Sequence, residues 1–295
     1  MIELKGAFKQ SSFASKFFLL IGATILFTVF SVLLWQIFSN GNVSDISSLK
    51  LLQLFQSIGM FVLAPLVLAY FWSEKPAALL FLNKRINWLQ LLYVILYMIM
   101  IIPAINLLTD INSKLILPKA LAAVETWMKA SELEMAQLTE KILSVRTATG
   151  LIFNLFLVAM IPALGEELFF RATLQRLFGD WKGVKMAIWL TAFVFSAVHM
   201  QFYGFVPRLL MGAFFGYLLF WSETLWLPIA AHFVNNGIAV IFFYFKFNGF
   251  KLLDIDAVGT GSTLWLGCAS GLLAILGFFW LRKQFTSDTK SVAEY

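Results

Sequence analysis

The sequence predicts an all-α fold: a polytopic transmembrane helical bundle of about eight spans, with an added amphipathic helical insertion. Three observations carry this. Charged residues make up only 13% of the chain and hydrophobic residues 60%, with a mean hydropathy of +0.84. A soluble domain carries about 25% charged residues. Four uncharged stretches are each long enough to cross a bilayer alone, at about 20 residues per span. Finally, the basic residues lie in the segments between apolar runs. The net charge of +6 therefore fits the positive-inside bias, and its distribution forms no nucleic-acid stripe.

The four self-sufficient stretches are Phe17–Phe38, Leu51–Ser73, Ile86–Thr109 and Thr263–Leu281. The first follows Lys5, Lys9 and Lys16 like a signal peptide. Its uncharged run exceeds a 7–15-residue h-region and no small-x-small cleavage site follows, so it reads as a retained anchor. Four less uniform segments complete the set. Ala148–Gly165 runs directly into Glu-Glu-Leu-Phe-Phe-Arg and on to about Phe178. Met186–Pro207 carries one His. Leu209–Ser222 is short and Gly-rich, and Leu225–Phe245 carries one His and two Asn. A single membrane domain over 1–295 is the simplest division.

The one sizeable polar insertion, 110–146, mixes acids and bases such as Glu125, Lys129, Glu132 and Lys141. Apolar residues recur through Leu121, Val124, Trp127 and Met128. An amphipathic helix on the bundle or lipid surface is expected, with a solvated loop helix as the equal alternative. The tail 284–295 is polar and is expected to fray. The single cysteine, Cys268, rules out an intrachain disulfide. Eight spans with the N-terminus cytoplasmic place 13 of the 22 Lys and Arg inside. Both termini are then expected on the cytoplasmic side, in a prokaryotic cytoplasmic membrane.

Ionisable groups inside apolar segments are the informative residues. Each costs about 2.5–3.5 kcal/mol at mid-membrane by insertion scales. The only two histidines, His199 and His232, both fall in such segments, as do Glu166, Glu167 and Arg171. On a helix Glu167 and Arg171 share a face, with the acid N-terminal to the base, which suits an ion pair. Glu166 points about 100° away, has no local partner, and is the natural proton acceptor. Pro162 just before it removes a backbone donor and is expected to kink the helix. Phe195 is expected to stack on His199 one turn later, and His232 and Asn236 share a face beside Asn235. Each group alone also has a plain reading, as a helix end at the interface or an interhelical polar clamp. Their depths speak for a shared site. Counted from the helix ends at 1.5 Å per residue, Glu166, His199, His232 and Asn236 lie roughly 10–21 Å inward.

Glu166-Glu167-x-x-x-Arg171, Phe195-x-x-x-His199 and His232-x-x-x-Asn236, in that order, resemble the three motifs of the CPBP (ABI) family of intramembrane glutamate proteases. That family includes the type II CAAX prenyl endopeptidases and bacteriocin-processing enzymes. The stretch Arg208–Asn236 is similar as well, and the likeness covers roughly 148–245, which the resemblance marks as the catalytic core. It implies that Glu166 and His199 activate a water, that His232 and Asn236 form an oxyanion hole, and that Glu167 and Arg171 are a structural ion pair. Phe195 and Asn235 would support them. A carboxylate and an imidazole suit general-base work, and amide and imidazole N–H groups suit a developing oxyanion.

The implied activity is endoproteolysis of a membrane-associated peptide or protein, prenylated or not. The expected partners are that substrate and the lipid bilayer, with no nucleic acid. No cofactor is expected. The alternative is zinc held by Glu166, His199 and His232, as in His₂Glu sites, although these come from three helices with no His-Glu-x-x-His pair. Two other classes compete. A non-catalytic immunity or scaffold protein of the same fold need not keep both base and oxyanion donors. A transporter also buries charge, but no inverted repeat is present.

Overall fold

In a computed structural model the described residues are 4–250 and 257–292, with side chains described to 286. Among the described residues every regular element is helical. The chain runs through α1 (Phe13–Ser39), α2 (Ile46–Trp72), α3 (Trp88–Met100), α4 (Ile102–Ser113), α5 (Ala122–Leu143), α6 (Ala148–Lys182), α7 (Val184–Ala197), α8 (Phe205–Ser222), α9 (Trp226–Phe247) and α10 (Leu264–Val292). The last helix takes in most of the predicted polar tail through Val292; residues 293–295 lie outside the described residues.

Six helices among the described residues are long and apolar enough to cross a membrane, and seven if α3 and α4 count as one bent span. The expected eight apolar segments are all helical, but two of them are not simple spans. Ile86–Thr109 is broken at Ile101, where α3 and α4 meet at 43°. Pro103 in the first turn of α4 supplies no N–H, so the ladder is interrupted there. Ser270 of α10 mends the break: its hydroxyl donates to Met100 O at 2.7 Å and accepts from Ala104 N at 3.3 Å. Freed backbone groups inside a bilayer need such a partner. The second exception is Met186–Pro207. Its helix, α7, stops at Ala197 after 14 residues, about 21 Å of rise. Met200 then takes a left-handed backbone conformation (φ 54°). His199 is therefore in a turn between α7 and α8 and not inside a span.

Outer helices present apolar faces outward. On α1, Phe18, Leu26, Ile37 and Phe38 are each at least 65% exposed. A row of large exposed hydrophobics on a helix of 27 residues is the signature of a lipid-facing span. The polar interior belongs to α6, α7, α8 and α9. The α6 backbone is unusual there, since π-helical turns occupy Leu155–Met160 and Glu167–Gln175 on either side of a short α-helical stretch, Ile161–Glu166. Pro162 explains the first, because its ring displaces the carbonyl four residues earlier. The second carries Glu167 to Arg171, and π-bulges concentrate at functional sites. Gly165 lets α6 approach α2 closely: a Cβ there would lie 2.8 Å from the Phe61 Cβ.

The insertion forms α5, and it lies against the bundle. Trp127 meets Phe202 with ring centroids 5.1 Å apart, and Ser131 donates to Met200 O at 3.3 Å. The apolar positions that suggested the amphipathic helix, Leu121, Val124 and Trp127, stay more than 40% exposed. The covering face lies further along, at Met135, Leu138 and Ile142. Buried Asn154 of α6 pins the end of α5: its amide donates to Ile142 O at 3.1 Å while its oxygen accepts from Lys50 Nζ at 2.8 Å. On the outer face, the Lys129 hydrogen bond holds the Glu125 carboxyl below the usual carboxylate range.

Candidate active site

The two adjacent glutamates of α6 face different surroundings. Glu167 is fully buried, with Oε2 3.1 Å from Arg171 Nε, and Arg171 is equally sealed. This is an ion contact without hydrogen-bond alignment. Among the described residues, Glu167 Oε2 and the three guanidinium nitrogens make no hydrogen bond. The cation is compensated from its faces instead. Its central carbon lies 4.4 Å from the Phe195 ring centroid, 5.5 Å from Phe215 and 5.9 Å from Phe170. Desolvated cation–π contacts reach about 2 kcal/mol.

The other oxygen of Glu167 does a second job. Oε1 accepts from His232 Nδ1 at 2.9 Å. That bond fixes the ring and turns Nε2 toward Glu166, 3.8 Å away. Phe215 stacks on His232 at 5.3 Å, with planes 25° apart, and Phe195 meets it edge-on at 5.9 Å. A carboxylate–imidazole pair of this kind selects the tautomer and orientation of the ring. The sequence suggested Glu167 only as the partner of Arg171. The hydrogen bond to His232 spans 65 residues, and no local spacing announces it.

Glu166 stands on the open side. It lines a cleft of about 620 Å³ together with His199, Phe170 and Gln201, under α2 and the apolar face of α5. Its Oε2 has no hydrogen-bond partner among the described residues. His199 holds its position by Nδ1, 2.7 Å from Phe195 O. Its Nε2 is thereby left to the cleft. Phe195 meets His199 edge-on, with centroids 4.9 Å apart and planes 69° apart, where a stack was expected. One phenyl ring thus touches His199, His232 and Arg171. It rests on Gly212, where a Cβ would lie 3.1 Å from its ring.

His232 lies one layer behind the cleft wall, 5% exposed and in contact with Glu166. Asn236 follows one turn along α9, and its Oδ1 accepts from Asn235 Nδ2 at 3.1 Å. Neither asparagine is part of the cleft wall. Arg208 was not singled out by the sequence. It lies near the cleft, with Nη2 donating to Gln201 Oε1 at 2.6 Å and Nη1 to Gln201 O at 3.3 Å. Among the described residues no three His, Cys, Asp or Glu side chains are grouped as metal ligands.

This fold and site define an integral membrane protein, a polytopic helical bundle with an ionisable cluster in its interior. Residues 148–238 match the family model described as Type II CAAX prenyl endopeptidase Rce1-like. The match bears out the resemblance drawn from the three motifs and contains all of them. It extends over about a third of the chain, and it points to protease activity of the CAAX type. No curated protein and no solved structure matches the chain.

Proposed function

We propose that the protein is an intramembrane endopeptidase that hydrolyses a peptide bond of a membrane-associated peptide or protein. The observation that carries this reading is the pairing of Glu166 and His199 on one cleft wall with His232 directly behind, 3.8 Å from Glu166. Glu166 with His199 takes the proton of an attacking water. The attacked carbonyl becomes an oxyanion, for which His232 and Asn236 supply donors. With Nδ1–H committed to Glu167, a donor at Nε2 requires the doubly protonated ring, so Glu167 sets the form in which His232 works. Collapse of the tetrahedral intermediate expels the amine, which recovers the proton from the Glu166–His199 pair. Phe195 and Asn235 position their neighbours. Counted over eight crossings, with the short α7 as one of them, the positive-inside bias supports both termini on the cytoplasmic side.

The reaction so written uses no metal. Zinc would need three protein ligands within about 2.0–2.2 Å. Supplying them from Glu166, His199 and His232 would consume both histidines and leave Asn236 as the sole oxyanion donor. The test is cleavage of membrane peptides by the purified, reconstituted protein, with elemental analysis of the same sample. Cleavage that survives strong chelation, without stoichiometric zinc, is expected. One zinc per chain, with activity lost on chelation and restored by zinc, would overturn the metal-free mechanism and keep the protease.

A further inference from the structure

Arg208 is a half-buried guanidinium at the head of α8, and it differs from every other buried charge near the site. Among the described residues no carboxylate lies within ion-pair distance of it. Its two hydrogen bonds go to neutral oxygens of Gln201, which leaves three of its five N–H donors uncommitted. Gly204 opens the space it occupies, since a Cβ there would lie 3.1 Å from Nη2. Gln201, which holds it, is itself part of the cleft wall beside Glu166 and His199.

Two carboxylates act on the Arg208 charge from a distance, Glu132 and then Glu166. Glu132 belongs to α5, the helix that covers the cleft, and its Oε2 is enclosed with no hydrogen-bond partner among the described residues. So a guanidinium outside ion-pair distance of any described carboxylate and an enclosed carboxylate oxygen act on each other beside Gln201 of the cleft wall. An uncompensated charge in a low-dielectric site draws in a counter-charge. We propose that Arg208 is the docking group for a carboxylate of the substrate peptide, with Glu132 the resident anion that the substrate displaces. The proposal rests on the peptidase reading, and it adds a requirement for a negative group at a fixed distance from the scissile bond. Guanidinium suits the task, because its fork matches a carboxylate bidentately.

The experiment measures binding, so it does not depend on turnover. Fluorophore-labelled apolar peptides are titrated into reconstituted Glu166→Gln protein. One ends in a free carboxylate, one in an amide, and one in an amide with a glutamate nearby. A charge-assisted hydrogen bond predicts about ten- to a hundred-fold tighter binding for a carboxylate peptide than for the plain amide. Which of the two carboxylate peptides shows the gain tells the C-terminus from a side chain. Arg208→Gln should erase the gain without weakening the plain amide, Arg208→Lys should keep part of it, and Glu132→Gln should tighten the carboxylate peptide. Equal binding of all three peptides, or an Arg208→Gln variant that weakens all three alike, overturns the proposal. Should Arg208→Gln fail to fold, unchanged carboxylate binding in Glu132→Gln does the same. Carboxylate discrimination in a protein whose Glu166-intact form cleaves nothing would sink the peptidase and leave the docking site standing.

Discussion

Glu166 and Glu167 are neighbours in sequence on opposite sides of one wall. On the sealed side, the Glu167 carboxylate meets both Arg171 and His232 within a cluster walled by three phenylalanine rings. On the open side, Glu166 lines a cleft together with His199, and its enclosed Oε2 makes no hydrogen bond among the described residues. The same side chain is therefore a clamp in one position and a reactive group in the next. What separates them is compensation. A fully buried charge in close contact with a permanent counter-charge holds structure, whereas one that borders a cleft is available to substrate.

Arg171→Ala should break this contrast most severely. It leaves Glu167 buried beside a neutral cavity, and stranding one member of a buried pair typically costs about 3–5 kcal/mol. A large drop in thermal midpoint in detergent is expected, and a variant as stable as wild type would mean the pair contributes nothing. Asn236→Ala should leave folding intact and slow cleavage. Loss of one oxyanion donor raises the barrier by about 2.7–4 kcal/mol, or roughly a hundred- to a thousand-fold. Single-turnover kinetics would show it in kcat with KM little changed. A pure KM effect would make Asn236 a substrate contact instead. A smaller effect comes from Gly165→Ala, which drives a methyl to 2.8 Å from the Phe61 Cβ. Overpacking of this kind costs about 1–3 kcal/mol. Because Gly165 adjoins Glu166 and α2 frames the cleft, activity should fall more than the thermal midpoint suggests.

The contrast was partly legible in the sequence. The i, i+4 spacing of Glu167 and Arg171 announces their contact, and the odd position of Glu166 follows from helical phase. The apolar runs announce the bundle. The break at Ala197–Phe202 was not legible, because Val198, Met200 and Phe202 continue the apolar pattern while the backbone turns at a left-handed methionine. Hydropathy reports what a residue prefers to touch and is silent on where the chain reverses. The bend at Ile101 was signalled by Pro103, but its repair by Ser270 depends on a helix far along the chain. The role of α5 was open for a related reason. Its first half is amphipathic by pattern yet exposed, and the half that covers the cleft, around Met135 to Ile142, is less regular. Arg208 escaped notice because a lone basic residue near a span end is ordinary, and only the lack of an ion-pair partner makes it informative.

The division of labour between the two glutamates is tested most directly by comparing Glu166→Gln and Glu167→Gln in one preparation, reading peptide cleavage and thermal midpoint together. An amide is isosteric with a carboxylate but cannot take the proton or balance Arg171. Glu166→Gln is expected to lose cleavage while its midpoint stays close to wild type. Glu167→Gln is expected to lower the midpoint, since it uncouples Arg171 and frees His232. The reverse pattern, with Glu166→Gln unfolding easily and Glu167→Gln stable but inactive, would contradict the assignment.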